Sequence, residues 1–154
     1  MPLSAEQQER YVRNVDVVGM GVEGQERLLA SSVLVIGAGG LGSAALPYLA
    51  AAGVGRIGVV DGDAVELKNM QRQVLHTELG RNKAESAAER LRLLNTDVTV
   101  DEYPEYLTAE RARELFVQYD LVMDCTDTYG AKYLLSDAAE AVGARLIWAS
   151  AVGM

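Results

Sequence analysis

The stretch "VLVIGAGGLGSAA", residues 33–45, decides the fold of this chain. It begins in an apolar, β-branched run, 32–37, which predicts a buried strand that ends at a glycine. It continues into an Ala-rich run, 41–53, which predicts a helix, and Pro47 should remove a hydrogen bond from that helix and kink it. Between the two runs lies the G-x-G-x-x-G spacing of nucleotide-binding loops, at Gly37, Gly39 and Gly42.

Beyond this stretch, short apolar runs alternate with amphipathic runs. The further predicted strands are 56–61, 97–103, 120–125 and 145–150, and the further predicted helices are 82–95, 108–119 and 131–143. Strands that alternate with helices predict an α/β fold, a doubly wound and mostly parallel sheet with helices on both faces. Ligands of such sheets bind where strands end, here after residues 36, 60 and 124.

The N-terminal residues carry charges at helical spacing over 5–13 and 23–30. We therefore predict a helical arm over residues 1–31 and a Rossmann-like domain over residues 32–154.

Composition excludes several classes of protein and site. The net charge is −8, whereas a protein that binds duplex nucleic acid normally shows a basic stripe. We therefore expect no nucleic-acid partner. One cysteine, Cys125, and one histidine, His76, leave no internal disulfide and no Cys/His zinc site in one chain. No apolar run reaches membrane-spanning length and the N-terminus has no signal-peptide core, so we expect a cytoplasmic protein without a membrane partner.

Asp61 ends the second predicted strand, about 20 residues after the glycine loop, where a ribose hydroxyl is held in such folds. This acid serves the ribose of NAD and the ribose of ATP equally. The alternative at this point is a glycine-rich turn without a ligand.

The segment after Asp61 distinguishes the two nucleotides, because it concentrates polar and basic side chains: Asp63, Asn69, Gln71, Arg72, Gln73, Arg81 and Lys83. Lys83 lies in the first turn of a predicted helix, where the helix dipole disfavours a cation and an anion nearby would favour it. The alternatives are a solvated Lys83 and an Arg72 in a surface salt bridge. Together the two cations favour a polyphosphate over a dinucleotide.

Asp127 follows the strand in "DLVMDCTDTYG", residues 120–130, on the ligand side of the predicted sheet. A carboxylate beside bound phosphates would be repelled by them unless it holds Mg²⁺. The alternative is that Asp127 caps a helix over 128–140. We expect Cys125 to pack within its strand.

Five segments together resemble the ThiF and MoeB adenylyltransferases, which belong to the superfamily of the ubiquitin-activating enzymes. They are "RYVRN" (10–14), "GVEGQERLLASSVLVIGAGGLGS" (21–43), "YLAAAGVGRIGVVDGDAVELKNMQRQVLHT" (48–77), "GRNKAESAAERLRLLN" (80–95) and "DCTDTYGAKYLLSDA" (124–138). The Asn-x-x-Arg-Gln block at 69–73 is more specific than the glycine loop.

The resemblance implies that Mg-ATP adenylates the C-terminal carboxylate of a small ubiquitin-like sulfur-carrier protein that ends in Gly-Gly. It implies that the glycine loop, with Gly40, holds the nucleotide, that Asp61 holds the ribose, and that the phosphates are contacted by Asn69, Arg72, Gln73 and Lys83. We add Asp63, Gln71 and Thr128 to the expected nucleotide contacts. The implied catalytic residues are Arg72, Lys83, Asp127, which would coordinate Mg²⁺, and Arg13, which would reach the ATP of the neighbouring subunit in a homodimer.

The chain departs from the family pattern in three ways. Thr128 stands where the family usually has Asn, and the loop between Arg72 and Lys83 is slightly shortened. The chain ends at "WASAVGM", before the family's crossover segment, so we expect a fragment of a longer protein rather than a minimal half. Two other functions stay open, a nicotinamide-dependent oxidoreductase and a non-catalytic module for nucleotide binding or dimerisation.

Overall fold

A five-stranded parallel sheet forms the centre of the computed structural model, which describes residues 2–151. The strands are β1 (Ser32–Ile36), β2 (Arg56–Val60), β3 (Thr99–Tyr103), β4 (Leu121–Asp124) and β5 (Leu146–Trp148). Their order in the sheet is β3-β2-β1-β4-β5, and every neighbouring pair is parallel. The order reverses between β1 and β4, and such a reversal opens a crevice at the carboxyl ends of the strands. The doubly wound α/β fold is confirmed.

Seven α-helices are present in the described residues: α1 (Ala5–Arg10), α2 (Val12–Val15), α3 (Gly21–Leu29), α4 (Gly40–Ala52), α5 (Lys83–Leu94), α6 (Ala109–Phe116) and α7 (Tyr129–Val142). The arm therefore contains three helices where the sequence predicted two. Helix α7 begins two residues before the predicted start, because the side chain of Thr128 accepts a hydrogen bond from the Ala131 N–H and caps the helix. Helix α4 continues through Pro47.

Strands β1 and β2 bury both of their faces, which explains their continuous apolar sequences. Val33 and Val35 of β1 pack with the inner faces of α4 and α5, and Leu34 and Ile36 pack on the other side with α6 and α7. The period of two along β1 thus assigns alternate residues to two separate cores.

The arm packs at the end of α4 that is remote from the glycine loop. Tyr11 is 1% exposed, donates a hydrogen bond to Asp97 and accepts one from Asn95. The buried side chain of Gln25 donates to the carbonyl oxygen of Ala52, the last residue of α4. These contacts fix the arm at the end of the sheet where the strands begin.

The turn from β1 into α4 depends on close backbone contact. Gly37 has φ +95°, and a Cβ there would lie 2.9 Å from the carbonyl oxygen of Cys125. A Cβ at Gly42 would overlap the carbonyl oxygen of Gly37. The glycines therefore let the first turn of α4 rest directly on the end of β1.

None of the helices within residues 2–151 is long and apolar enough to cross a membrane.

Gly42→Ala tests the close contact between α4 and β1. We expect it to lower the free energy of unfolding by about 2–3 kcal/mol, because the new methyl group forces the loop and the helix apart. Urea denaturation followed by circular dichroism measures the change. Gly130→Ala in α7 is the matched control, because its Cβ would meet nothing within 4 Å. The control should be neutral or stabilise the protein by up to about 1 kcal/mol; equal losses in both variants would contradict the packing argument.

Candidate functional site

A cavity of about 770 Å³ lies at the carboxyl ends of β1, β2 and β4. Its walls are the glycine loop, the residues after Val60 and the residues after Cys125, so the cavity occupies the three positions expected from the sequence. The predicted site residues that line it are Gly37, Gly39, Gly40, Asp61, Asp63, Arg72, Gln73, Lys83, Asp127 and Thr128.

Four other predicted residues do not line the cavity of their own chain. Gly42 lies behind the loop, packed on Gly37. Asn69 is buried, and its carbonyl oxygen accepts hydrogen bonds from the backbone N–H groups of Arg72 (3.1 Å) and Gln73 (2.9 Å), so it orients the residues that do reach the cavity. Gln71 is exposed on the same turn.

Arg13 is the fourth of these residues and lies with the arm at the opposite end of the sheet. The neighbouring Asn14 donates a hydrogen bond to the carbonyl oxygen of Ala52, at the far end of α4. The Arg13 side chain is 92% exposed and its contact with Asp16 is long, 3.9 Å.

Asp61 braces the glycine loop. Its Oδ2 accepts a hydrogen bond from the Ala38 N–H and its Oδ1 accepts one from the Asp63 N–H, both at 2.8 Å. Each carboxylate oxygen can accept a further hydrogen bond. Asp61 therefore supports the loop and retains acceptor capacity for a hydroxyl group in the cavity.

Lys83 is a buried cation rather than a solvated one. It is the first residue of α5, is 5% exposed, and places Nζ 3.0 Å from Oδ2 of Asp63. Asp63 also accepts a hydrogen bond from the Tyr106 hydroxyl, and this bond, followed by the charge of Lys83, holds the pKa of the Asp63 carboxyl below its usual value. The solvated-lysine alternative is thereby excluded.

Arg72 lies at the mouth of the cavity beside Gly40. Its guanidinium contacts the Lys68 carbonyl oxygen at 3.5 Å, and no carboxylate of the described residues lies within 4.0 Å of it. The expected alternative, a surface salt bridge, does not form within this part of the chain. Its charge is thus available to an anion in the cavity.

Gln73 carries a buried oxygen without a partner among residues 2–151. The residue is 4% exposed, and its Oε1 accepts no hydrogen bond there. An unsatisfied buried acceptor costs about 1–3 kcal/mol, and an amide oxygen is satisfied only by a donor. The Gln73 amide packs beside Gly39, and Nε2, a hydrogen-bond donor, is its polar atom nearest the loop.

Asp127 faces the cavity, and no hydrogen bond or ion pair joins its carboxylate to another described residue. The helix cap is Thr128, whose Oγ1 accepts from the Ala131 N–H at 3.3 Å, so the N-cap alternative for Asp127 is wrong. No group of three or more metal-ligating side chains occurs within residues 2–151. Mg²⁺ needs no such group, because one carboxylate together with phosphate oxygens can hold it.

Cys125 lines the cavity as an inert group. The residue is 8% exposed, and burial, with a smaller contribution from the charge of Asp124, raises the pKa of its thiol to about 11. The thiol stays protonated at neutral pH. Cys125 lies one residue beyond β4 rather than within the strand, and it packs in the core that β1 shares with α4 and α5.

Three contributors to the site were not identified from the sequence. His76 lies under the glycine loop, and Tyr106 holds Asp63. Asp124, which is 1% exposed, pairs with Lys132 at 3.2 Å and fixes the turn before Asp127 by accepting hydrogen bonds from Thr126. The contacts of His76 and Tyr106 join residues far apart in the sequence. Asp124, by contrast, accepts its hydrogen bonds from Thr126, two residues further along the chain.

Comparison with protein families supports the resemblance that the sequence suggested. The ThiF family matches residues 11–154. The adenylyltransferase and sulfurtransferase MOCS3 of Arabidopsis thaliana is 49% identical over 154 residues, which are 99% of this chain and 33% of that protein. The adenylyltransferase and sulfurtransferase UBA4 of Candida glabrata is also 49% identical, over 98% of this chain and 36% of that protein. The chain thus spans about a third of the length of the curated relatives it matches.

A solved structure shares the fold and contains a nucleotide. The E. coli tRNA N6-threonylcarbamoyladenosine dehydratase TcdA, in complex with ATP, matches with a TM-score of 0.88 at 26% identity, over 96% of this chain and 61% of that chain. The family match covers far more than half of the residues. The chain therefore belongs to the ThiF family.

Proposed function

We propose that this chain is the ATP-binding portion of an adenylyltransferase that activates the C-terminal glycine carboxylate of a ubiquitin-like sulfur-carrier protein. One observation carries the proposal: a cavity below the glycine loop contains two cations, Arg72 and Lys83, and an unpaired carboxylate, Asp127. Relatives named adenylyltransferase and sulfurtransferase, and a relative solved with ATP, support it.

The cations suit a triphosphate better than a dinucleotide. The chain has a net charge of −8, so an anionic ligand requires local positive groups that overcome the overall field. Arg72 can give forked hydrogen bonds to phosphate and Lys83 a point charge, while the N-terminus of α4 offers free N–H groups. Gln73 lines the cavity beside Gly39, where its Nε2 can donate a hydrogen bond to a phosphate oxygen.

The chemistry requires no general base. A C-terminal carboxylate has a pKa of about 3.5 and is ionised at neutral pH, so it can attack the α-phosphate directly. Arg72 and Lys83 then hold the two anions together and stabilise the charge of the departing pyrophosphate. This agrees with the structure, in which the Cys125 thiol at the cavity wall stays protonated and His76 lies outside the cavity lining.

Asp127 is the residue that would hold Mg²⁺ in this site. It fits because its carboxylate faces the cavity without a protein partner, in the neighbourhood where phosphates are expected. When bound, Mg²⁺ would neutralise charge on the phosphate oxygens. Thr128 stands beside it with its hydroxyl engaged as the cap of α7.

A homodimer would complete the site with Arg13. The arm holds Arg13 at the end of α4 opposite the cavity, and α4 has 13 residues, which is about 20 Å at the rise of an α-helix. Arg13 is therefore too far from its own cavity, whereas its exposed guanidinium is free to enter that of a partner.

The first prediction concerns the choice of nucleotide. Calorimetry should show tighter binding of Mg-ATP than of NAD, and Arg72→Ala should weaken ATP binding by about tenfold to a hundredfold, the value of a charge-assisted hydrogen bond. Arg27→Ala removes an exposed arginine of the arm and should leave ATP affinity unchanged. Preference for NAD, or equal losses in the two variants, would contradict an ATP site.

The second prediction concerns catalysis by the full-length protein. Asp127→Ala should lower the rate of carrier-dependent ATP–pyrophosphate exchange by at least about a hundredfold, since it removes the carboxylate that organises the phosphate charge. Asp137→Ala, an exposed aspartate of α7, should exchange at the native rate. A native protein that catalyses no exchange, or an active Asp127→Ala variant, would rule out adenylyl transfer at this site.

The third prediction concerns the dimer. Arg13→Ala and Asp127→Ala homodimers should each be inactive, and mixed dimers should regain activity, because one of their two sites then contains both native residues. Exchange activity after co-expression and purification with two different tags measures the recovery. Verified mixed dimers without activity would show that Arg13 does not act across the interface.

A further inference from the structure

His76 is a buried titratable group that the proposed chemistry does not use. It is 2% exposed and lies between the glycine loop and α5. Its Nε2 is 2.7 Å from the carbonyl oxygen of Ala38, and its Nδ1 is 3.0 Å from Oγ of Ser86. Both ring nitrogens are therefore engaged, each with a different element of the site.

The partners define the protonation of the ring. A carbonyl oxygen only accepts hydrogen bonds, so Nε2 must carry the hydrogen that is donated to Ala38. Burial lowers the pKa of the imidazole, which keeps it neutral, and Nδ1 is then an acceptor for the Ser86 hydroxyl. The hydrogen bonds run in one direction, from Ser86 through His76 to the glycine loop.

The series of hydrogen bonds joins the glycine loop to α5, the two elements that the proposed ATP site places at the phosphates. Residue Ala38 is held through both of its backbone polar groups: Asp61 accepts a hydrogen bond from its N–H, and His76 and Ser43 donate hydrogen bonds to its carbonyl oxygen. Ser86 lies in α5, one turn after Lys83, the first residue of that helix. His76 thus ties the peptide of the glycine loop to the helix that carries the buried cation.

We propose that His76 is a positioning residue for the nucleotide: it fixes the glycine loop relative to Lys83 so that both contact the same phosphate chain. This inference rests on the proposed ATP site and goes beyond the family resemblance, which assigned no role to this residue. His76 does not line the cavity and acts only through Ala38 and Ser86.

The test compares His76→Phe, which keeps a ring but no hydrogen bonds, with His76→Gln, whose amide can still donate to Ala38. Mg-ATP affinity is measured by calorimetry on the folded fraction, and stability by urea denaturation. We expect His76→Phe to weaken Mg-ATP binding about tenfold, the value of one net hydrogen bond, and His76→Gln to recover most of the affinity. In steady-state exchange, KM for ATP should rise more than kcat falls.

Tyr119→Phe is the control for a purely structural loss. Tyr119 is buried on the other face of the sheet, where its hydroxyl donates to Asp101. This variant should lose stability and keep native ATP affinity.

A folded His76→Phe protein with native affinity would overturn the positioning role. A His76→Gln variant that binds Mg-ATP as weakly as a folded His76→Phe variant would also overturn it. If His76→Phe does not fold, native affinity in Ser86→Ala would overturn it instead. If the native protein does not bind Mg-ATP, that result contradicts the proposed function itself.

Discussion

The carbonyl group of Gly37 lies against the backbone of Gly42, and no side chain fits between them. This contact sets the first turn of α4 directly on the end of β1, at the point where the strand order reverses. The free N–H groups of the helix then face the crevice, and Asp61 of the neighbouring strand end reaches the loop backbone. The other elements of the site are arranged around that turn. The geometry of the cavity therefore depends on a contact that has no room for even one methyl group.

The site contains a buried and an exposed cation, although the chain as a whole has a net negative charge. Lys83 is buried at a helix N-terminus, an unfavourable place for a cation, and Asp63 compensates part of that cost through an ion pair. Because the Asp63 side chain is 52% exposed, solvent screens this pair and leaves Lys83 able to attract a second anion. Asp63 thus holds the Lys83 cation in place before a ligand binds. The screened Asp63 carboxylate competes only weakly with a phosphate for that cation.

The strands and the glycine loop were predictable, because alternating apolar runs and glycine spacing are local signals. The order of the strands in the sheet comes from the structure. The convergence of Arg72, Lys83 and Asp127 on one cavity followed from the rule that ligands bind at strand ends. Tyr106 and His76 were not predictable, since their partners lie 43 and 38 residues away in the sequence and a lone tyrosine or histidine carries no pattern. The alternative that Asp127 caps α7 stayed open in the sequence because Asp127 and Thr128 are both good N-cap residues, and only the backbone geometry separates them.

Residue Ala38 has both of its backbone polar groups engaged by the protein itself. A loop of this kind has little conformational entropy left to lose when a nucleotide binds, so more of the contact energy becomes affinity. A preorganised loop of this kind is consistent with one fold serving relatives whose names describe different reactions, such as MOCS3 and TcdA.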